Sequence, residues 1–219
     1  ANFQIYFAKN DLVGLEWALT TAAFGTNGKP RKEKDRPTVI SLSWNFPEEG
    51  VNNGINEHFV ETYLNLNEFF IKPAVMLGVT FVTCSGDWGS SNQSKPPRFS
   101  VSCPASSPYT LAVGGTFLEV PDEGAPVEQV WNQQVDAFGQ KFTVATGGGF
   151  SKYFQAPGYQ QEQVRRYFHQ AYQGHPELER LKVAHGIPDV AAVANSSLQG
   201  YYAVIGGQGR MIPGGTSAS

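Results

Sequence analysis

The sequence predicts an α/β fold, a mainly parallel sheet with helices on both faces. Three observations lead there. Short apolar runs at Thr38–Trp44, Val79–Thr83 and Tyr109–Val113 suit buried parallel strands. Segments with helical spacing stand between such runs. The first run ends in Ser43-Trp44, and the other two lead into Ser85-Gly86-Asp87 and Gly114-Gly115; in open α/β sheets chemistry gathers at the carboxyl ends of strands. With 219 residues, 41% of them hydrophobic, the chain can bury one sizeable core, so residues 1–219 are expected to form a single domain.

The chain opens with Asn2–Ala8, where Phe3, Ile5 and Phe7 alternate with polar neighbours as in a strand. A helix is expected from Asp11 to Phe24, with Asp11 near its N-cap and Leu12, Leu15, Ala18 and Leu19 on one face. Gly25–Arg36 reads as a solvated connector of mixed charge. After the strand at Thr38–Trp44, a long helix is expected over Glu57–Leu77, kinked or split by Pro73. Val79–Thr83 and Tyr109–Val113 follow as strands. Thr116–Thr146 reads as antiparallel strands and turns, Tyr159–Tyr172 as a helix and Leu178–His185 as a connector. Pro188-Asp189-Val190 opens a further core strand or turn, with Asp189 expected to be buried and hydrogen-bonded. Tyr201–Ile205 is a strand leading into the glycine-rich approach to Ser217.

Bulk properties narrow the function. The formal net charge is only -3 and no basic stripe is present, which argues against nucleic acid as a partner. No apolar run reaches about 18 residues, so no membrane span is expected. No signal peptide is visible. Cys84 and Cys103 are too few for a disulfide framework, and no second Cys or His pair accompanies them at metal-ligand spacing.

Five short segments carry groups suited to chemistry. In Gly214-Gly215-Thr216-Ser217-Ala218 a serine stands between small residues where a helix should begin. Free N–H groups and the helix dipole would favour negative charge beside its hydroxyl. Alone, the same residues could be a Gly-Ser-rich tail. Ser85-Gly86-Asp87-Trp88-Gly89 sets an acid at a strand end between glycines, or makes an ordinary turn. The third segment is Pro104-Ala105-Ser106-Ser107-Pro108-Tyr109 with Leu111-Ala112-Val113-Gly114-Gly115-Thr116. The fourth is Gly147-Gly148-Gly149-Phe150-Ser151 with Phe154 and Pro157, and the fifth Gly186-Ile187-Pro188-Asp189-Val190. In this order and spacing the five resemble the sedolisin family, the serine-carboxyl peptidases of subtilisin-like fold. Members of that family read closely similar to SGDSG, FPASSPYV, AVGGT, GGGFS, GVPDV and GGTSA. The resemblance covers nearly the whole chain.

It implies a serine-type peptidase that hydrolyses peptide bonds at acid pH through an acyl-enzyme. Ser217 matches the nucleophile and Asp87 the aspartate of the oxyanion hole. Ser43 and Trp44 match the end of the substrate-lining strand, with Asn45 in place of the usual glycine. Ser85, Gly86, Pro104 and Ala105 should help form the S1 walls, and Gly148 and Gly149 should lie near the active site. An ionised Asp87 could only accept hydrogen bonds and would repel an oxyanion, whereas a protonated one donates. The resemblance also implies that the base, a glutamate oriented by an aspartate one helical turn later, precedes Asn2. Calcium is expected in the full-length family member, with ligands beyond Ser219. Residues 1–219 are therefore expected to be a catalytic-domain fragment, incomplete at both ends. It should hold no metal and no acid/base pair, and be inactive alone. Glu16 does not match the base and reads as a solvent-facing charge. A peptide or protein substrate and, in the precursor, a propeptide are the implied partners. The protein is expected to be a monomer, secreted or lysosomal. The alternative is a pseudoprotease or peptide-binding module.

Smaller features remain. His58, His169, His175 and His185 lack the His-Gly-Thr context of a subtilisin triad and read as surface or loop residues; relatives often carry arginine at the His185 position. The family fold allows a disulfide between Cys84 and Cys103 if their strands are neighbours. Asn92-Gln93-Ser94 and Asn195-Ser196-Ser197 fit glycosylation sequons by chance. Trp88 either caps the pocket or faces outward.

Overall fold

A computed structural model describes residues 2–26, 29–50, 56–92, 99–137, 139–171, 175–195, 202–211 and 214–219. Helix α1 (Leu12–Phe24) begins where the Asp11 carboxylate accepts from Gly14 N at 2.7 Å, and it ends at Gly25, whose positive φ a glycine adopts freely. β1 (Gly25–Thr26) and β2 (Lys29–Pro30) pair as a short antiparallel ribbon inside the predicted connector. β3 (Val39–Leu42) and β4 (Phe46–Pro47) follow. Helix α2 (Glu57–Leu66), capped by Asn56, runs through a π-helical turn at Asn67–Ile71 into α3 (Lys72–Met76). The expected break thus takes the form of a change in winding just ahead of Pro73. Pro73 sits in the first turn of α3, where its missing N–H is tolerated.

Next come β5 (Thr80–Cys84), β6 (Ser102–Cys103), β7 (Leu111–Glu119), β8 (Val127–Val130), β9 (Asn132–Ala137), β10 (Gln140–Ala145) and β11 (Gly149–Gln155). Helix α4 (Gln161–Ala171) precedes β12 (Ala184–Ile187) and β13 (Val190–Val193). β14 (Tyr202–Ile205) and β15 (Gln208–Met211) form a hairpin. The main sheet runs β13-β7-β5-β3, all parallel, in the register Val39↔Thr80, Val82↔Leu111 and Val190↔Val113. β8 adds antiparallel to the far half of β7, and β9 pairs with β10, as expected for residues 116–146.

Strand periodicity sorts the side chains. On one face Ile40, Leu42 and Phe81 meet Leu12, Leu15, Leu19, Tyr63, Leu66, Ile71 and Ala74 of the first three helices. On the other face Val39, Ser41, Thr80 and Leu111 are exposed, and no helix covers them among the described residues. Helix α4 instead packs Val164 and Phe168 against Phe150 and Ala156 near β11. The sequence reading put helices on both faces; α/β alternation is there, but α4 serves the β11–β12 pair.

Asn2–Ala8 is a second difference. The segment forms no ladder, and Phe3 is 88% exposed. Alternation makes a strand only where a partner supplies backbone hydrogen bonds, and here, among the described residues, side-chain bonds join Tyr6 and Gln4 to each other and to Arg31. The predicted strand at Tyr109–Val113 starts later and continues to Glu119, because the Gly114-Gly115 pair passes close under Pro188, Ala194 and Trp131 without ending it. Tyr201, the expected start of the last strand, lies outside the described residues.

Candidate active site

The carboxyl ends of β3, β5 and β13 converge on the final residues of the chain. Beyond β5, Ser85 N donates to Val113 O at 2.9 Å, and Gly86 turns with φ 106°, a conformation that favours glycine. Residues 145–147 brace this turn from the side: Ala145 N donates to Asp87 O at 3.0 Å and Gly147 N to Gly86 O at 2.6 Å. The approach is so close that a Cβ on Gly147 would stand 2.0 Å from Ser85 O. Gly148 faces Ile187 O and Pro188, and Gly149 opens β11 with φ 139°. From beyond β13, Ala194 O accepts from Gly215 N at 2.8 Å and fixes the entry of the last turn.

Thr216 joins the two halves. Its backbone N–H and its hydroxyl both donate to Asp87 Oδ1, at 2.8 and 2.7 Å. The same hydroxyl accepts from Gly86 N at 3.1 Å. Asp87 Oδ2 faces Gly215, where a Cβ would come within 3.0 Å. Ser217 is exposed next to this corner and is gripped by Ser43: Ser217 Oγ donates to Ser43 O at 3.4 Å and Ser43 Oγ to Ser217 O at 3.2 Å. Ser217 lies in a turn, with Ala218 N donating to Gly215 O at 3.0 Å. Among the described residues no Asp, Glu or His side chain hydrogen-bonds the Ser217 hydroxyl.

The structure therefore brings Ser43, Ser85, Gly86, Asp87, Gly148, Gly149 and Ser217 into one region. Trp44 stands half exposed beside it, its indole N–H donating to Asn10 Oδ1 at 2.7 Å. Pro104 and Ala105 are fully buried, Ala105 packing on Val101, Ala112 and Ile187, so their side chains lie inward of the surface. The Cys103–Pro104 peptide is cis. Trp88 faces outward. Cys84 and Cys103 are both free and buried, so the disulfide that the family fold allowed is not formed.

Three features escaped the sequence reading. Asn45 bridges the site: its Nδ2 donates to Cys84 Sγ at 3.2 Å and its Oδ1 accepts from Ser102 Oγ at 3.2 Å. Glu48 and Glu49 are 1% and 4% exposed. Glu48 accepts from Ser151 Oγ at 2.5 Å and Lys152 N at 2.9 Å; Glu49 pairs with Lys152 Nζ at 2.7 Å and keeps Oε2 unpartnered. Burial, with no cation on Glu48 itself, raises its pKa despite those donors. Two adjacent acids after a proline read as surface charge, and only β11 reveals otherwise. Thirdly, His185 is 0% exposed rather than a surface residue, with Nδ1 bonded to Ser106 O at 2.8 Å and Nε2 unpartnered. Glu16 is half-buried rather than fully solvent-facing.

Asp189 has the structural role expected of it, although it is only half-buried. Its carboxylate accepts from Ala112 N, Tyr159 Oη and Gln160 Nε2 at 2.9, 2.9 and 2.8 Å. Asn92 and Asn195 are buried, with Asn195 holding Leu118 N and O, which bars glycosylation at either; the remaining sequon residues lie outside those described. No group of three or more His, Cys, Asp or Glu side chains among the described residues could hold a metal ion, so the family's calcium enters no step below.

No protein-family model matches the chain. Kumamolisin from Bacillus sp. (strain MN-32) is 33% identical over 228 residues, covering 100% of this chain and 34% of kumamolisin. Tripeptidyl-peptidase 1 from Bos taurus is 31% identical over 189 residues, covering 85% of this chain and 29% of that protein. Among solved structures, Pseudomonas sedolisin, a serine-carboxyl proteinase complexed with two molecules of pseudo-iodotyrostatin, superposes with a TM-score of 0.66 at 28% identity. That match covers 95% of this chain and 49% of the other. The chain spans about a third or less of the length of the curated relatives it matches.

Proposed function

Because the chain belongs to the sedolisin family, the serine-carboxyl peptidases, we propose that its protein hydrolyses peptide bonds through an acyl-enzyme on Ser217. The observation that carries this is the Thr216 clamp, which ties Asp87 Oδ1 to the residue directly before the serine. Ser217 Oγ attacks the scissile carbonyl, and its proton must pass to a base. Since no carboxylate or imidazole among the described residues reaches that hydroxyl, the base comes from elsewhere in the protein, and residues 1–219 alone turn over peptide slowly or not at all. As the carbonyl oxygen gains charge, Asp87 carries a proton and donates it as a hydrogen bond. An ionised carboxylate could not, so activity belongs to acid pH.

Ser43, Ser85, Gly86, Gly148 and Gly149 are the proposed substrate contacts, with the Trp44 side chain at the rim and Pro104 and Ala105 supporting the S1 wall from behind. Residues 1–219 are taken as one piece of the catalytic domain. The proposed substrates are peptides or proteins, with a propeptide in the precursor. A monomer in a secreted or lysosomal setting fits that reading, and no helix among the described residues is long and apolar enough to cross a membrane.

The experiment is peptide hydrolysis across pH 3–8 by the full-length protein, its Ser217→Ala variant and its Asp87→Asn variant. Ser217→Ala is expected to abolish turnover. Asp87→Asn keeps a donor at every pH and should move the activity profile upwards. Serine-independent hydrolysis, or an unmoved Asp87→Asn profile, overturns the assignment.

A further inference from the structure

Two of the proposed substrate-contact segments come from distant parts of the sequence, and one buried side chain joins them. The first is Ser43-Trp44, beyond β3; the second is Gly148-Gly149, where β11 begins. Glu48 follows closely on the first and Ser151 on the second. Glu48 Oε1 accepts from Ser151 Oγ at 2.5 Å, and Oε2 accepts from Lys152 N at 2.9 Å. Glu48 and Ser151 are each 1% exposed, so water competes little for these bonds.

The direction of each bond follows from the groups. A hydroxyl has one proton and two lone pairs. The Ser151 oxygen already accepts from Tyr153 N at 3.1 Å and Phe154 N at 3.0 Å, so its proton points to Glu48. Each Glu48 oxygen thus meets a different donor of β11, and a side chain with a single acceptor could meet only one. Backbone contacts run the same way. Glu48 N donates to Val101 O at 2.9 Å, and Val101 packs close to Gly149, where a Cβ would come within 3.2 Å of its Cγ1. Glu49 adds an ion pair to Lys152 Nζ at 2.7 Å.

We propose that Glu48 is a positioning residue that ties the Ser43-Trp44 wall to the Gly148-Gly149 wall and so fixes the width of the cleft that a peptide must fit. The inference rests on the reading of those segments as substrate contacts of a peptidase. Glu48 acts through them, since its own bonds run to Ser151, Lys152 and Val101. Walls that drift apart hold substrate and transition state less well alike, so the loss falls on KM and leaves kcat. A residue that only stabilised the fold would change how much enzyme is folded, and KM would stay as it was.

The test uses the full-length protein with Ser151→Ala, which removes the donor to Oε1, and Glu48→Gln, which leaves one acceptor for two donors. Leu19→Val, in the core under α1, is the stability control. Thermal melts identify the folded variants. KM for a peptide substrate should rise about fivefold in Ser151→Ala and in Glu48→Gln, the scale of one hydrogen bond, with kcat within about twofold. Leu19→Val should keep the wild-type KM. An unchanged KM in the two tie variants, a loss confined to kcat, or an equal rise in Leu19→Val overturns the proposal. If the wild type shows no Ser217-dependent turnover, the peptidase reading fails instead, and hydrogen exchange decides the tie. In Ser151→Ala the amides of residues 43–49 and of 149–155 should both exchange about tenfold faster, while those of β5 and β7 keep their rates. Faster exchange confined to residues 149–155, or none, counts against a tie between the walls.

Discussion

Asp87 and Glu48 are carboxylates held by serine- and threonine-rich neighbours, yet they sit in opposite surroundings. Asp87 is half-buried at the end of β5, with Oδ1 filled by two donors from Thr216 and Oδ2 facing Gly215. Glu48 is 1% exposed between β4 and β11, with Ser151 and Lys152 N as donors and another buried acid, Glu49, next to it. The first is built at an edge that something can approach. The second is sealed in, where burial makes ionisation costly and raises its pKa. The strand end that a carboxylate closes decides in this chain whether it faces an approachable edge or the interior.

Breaking the Asp87 side should have the largest effect. Gly147→Ala would drive a Cβ into the Ser85 carbonyl, a backbone atom that cannot rotate aside. A loss upwards of about 4 kcal/mol in denaturant unfolding is expected. A Gly147→Ala protein of native stability would show that residues 145–147 do not brace the Asp87 turn. Thr216→Val comes next, because it keeps the shape but leaves Gly86 N–H without its acceptor and Asp87 with one donor fewer. The expected cost is about 1–3 kcal/mol. Its activity should fall by more than its stability accounts for, and equal losses would reduce Thr216 to a structural residue.

Glu48→Gln sharpens the other side. Burial raises the folded-state pKa of Glu48 above its ordinary value of 4.5. Within that window the folded chain binds more protons than the unfolded chain, so stability is greatest below the unfolded value and declines as pH climbs through the folded one. Melting temperatures of the wild type should therefore drop as pH is raised from the mid-4s. Glu48→Gln, which removes the titrating group and can still accept from Lys152 N, should flatten that decline. Parallel pH profiles for the two proteins would remove Glu48 as its source. Tyr159→Phe is the smallest change: the tyrosine is exposed, and Asp189 keeps Gln160 and Ala112 N as donors. Its expected cost is about 0.5–1 kcal/mol, seen as a slight shift of the unfolding midpoint.

The Asp87 side was legible in the sequence because tight turns leave marks there. Glycines flank Asp87, precede Ser217 and line residues 147–149, and the close approaches around Asp87 fall on them, Gly86 against Ser102, Gly147 against Ser85 and Gly215 against Asp87 itself. Nothing local marks Glu48, since glutamate is seldom buried and its donor Ser151 lies far along the chain. Asn45 escaped for a related reason: its partners, Cys84 and Ser102, come from two other strand ends. Helices α1 and α4 were read to within two residues at either end, α4 from its amphipathic periodicity and α1 from an apolar run bounded by the Asp11 cap and Gly25. Asn2–Ala8 shows the converse, a strand pattern with no strand beside it among the described residues.

The double occupation of Asp87 Oδ1 has one more consequence. With a backbone amide and a hydroxyl already on that oxygen, Oδ2 is the oxygen left for a further partner, and it looks across the bare backbone of Gly215. Thr216 thus gives the carboxyl a handedness. One oxygen is committed to the chain and the other is left on the side where the chain has kept space, so whatever bonds to the acid next does so with a fixed aim.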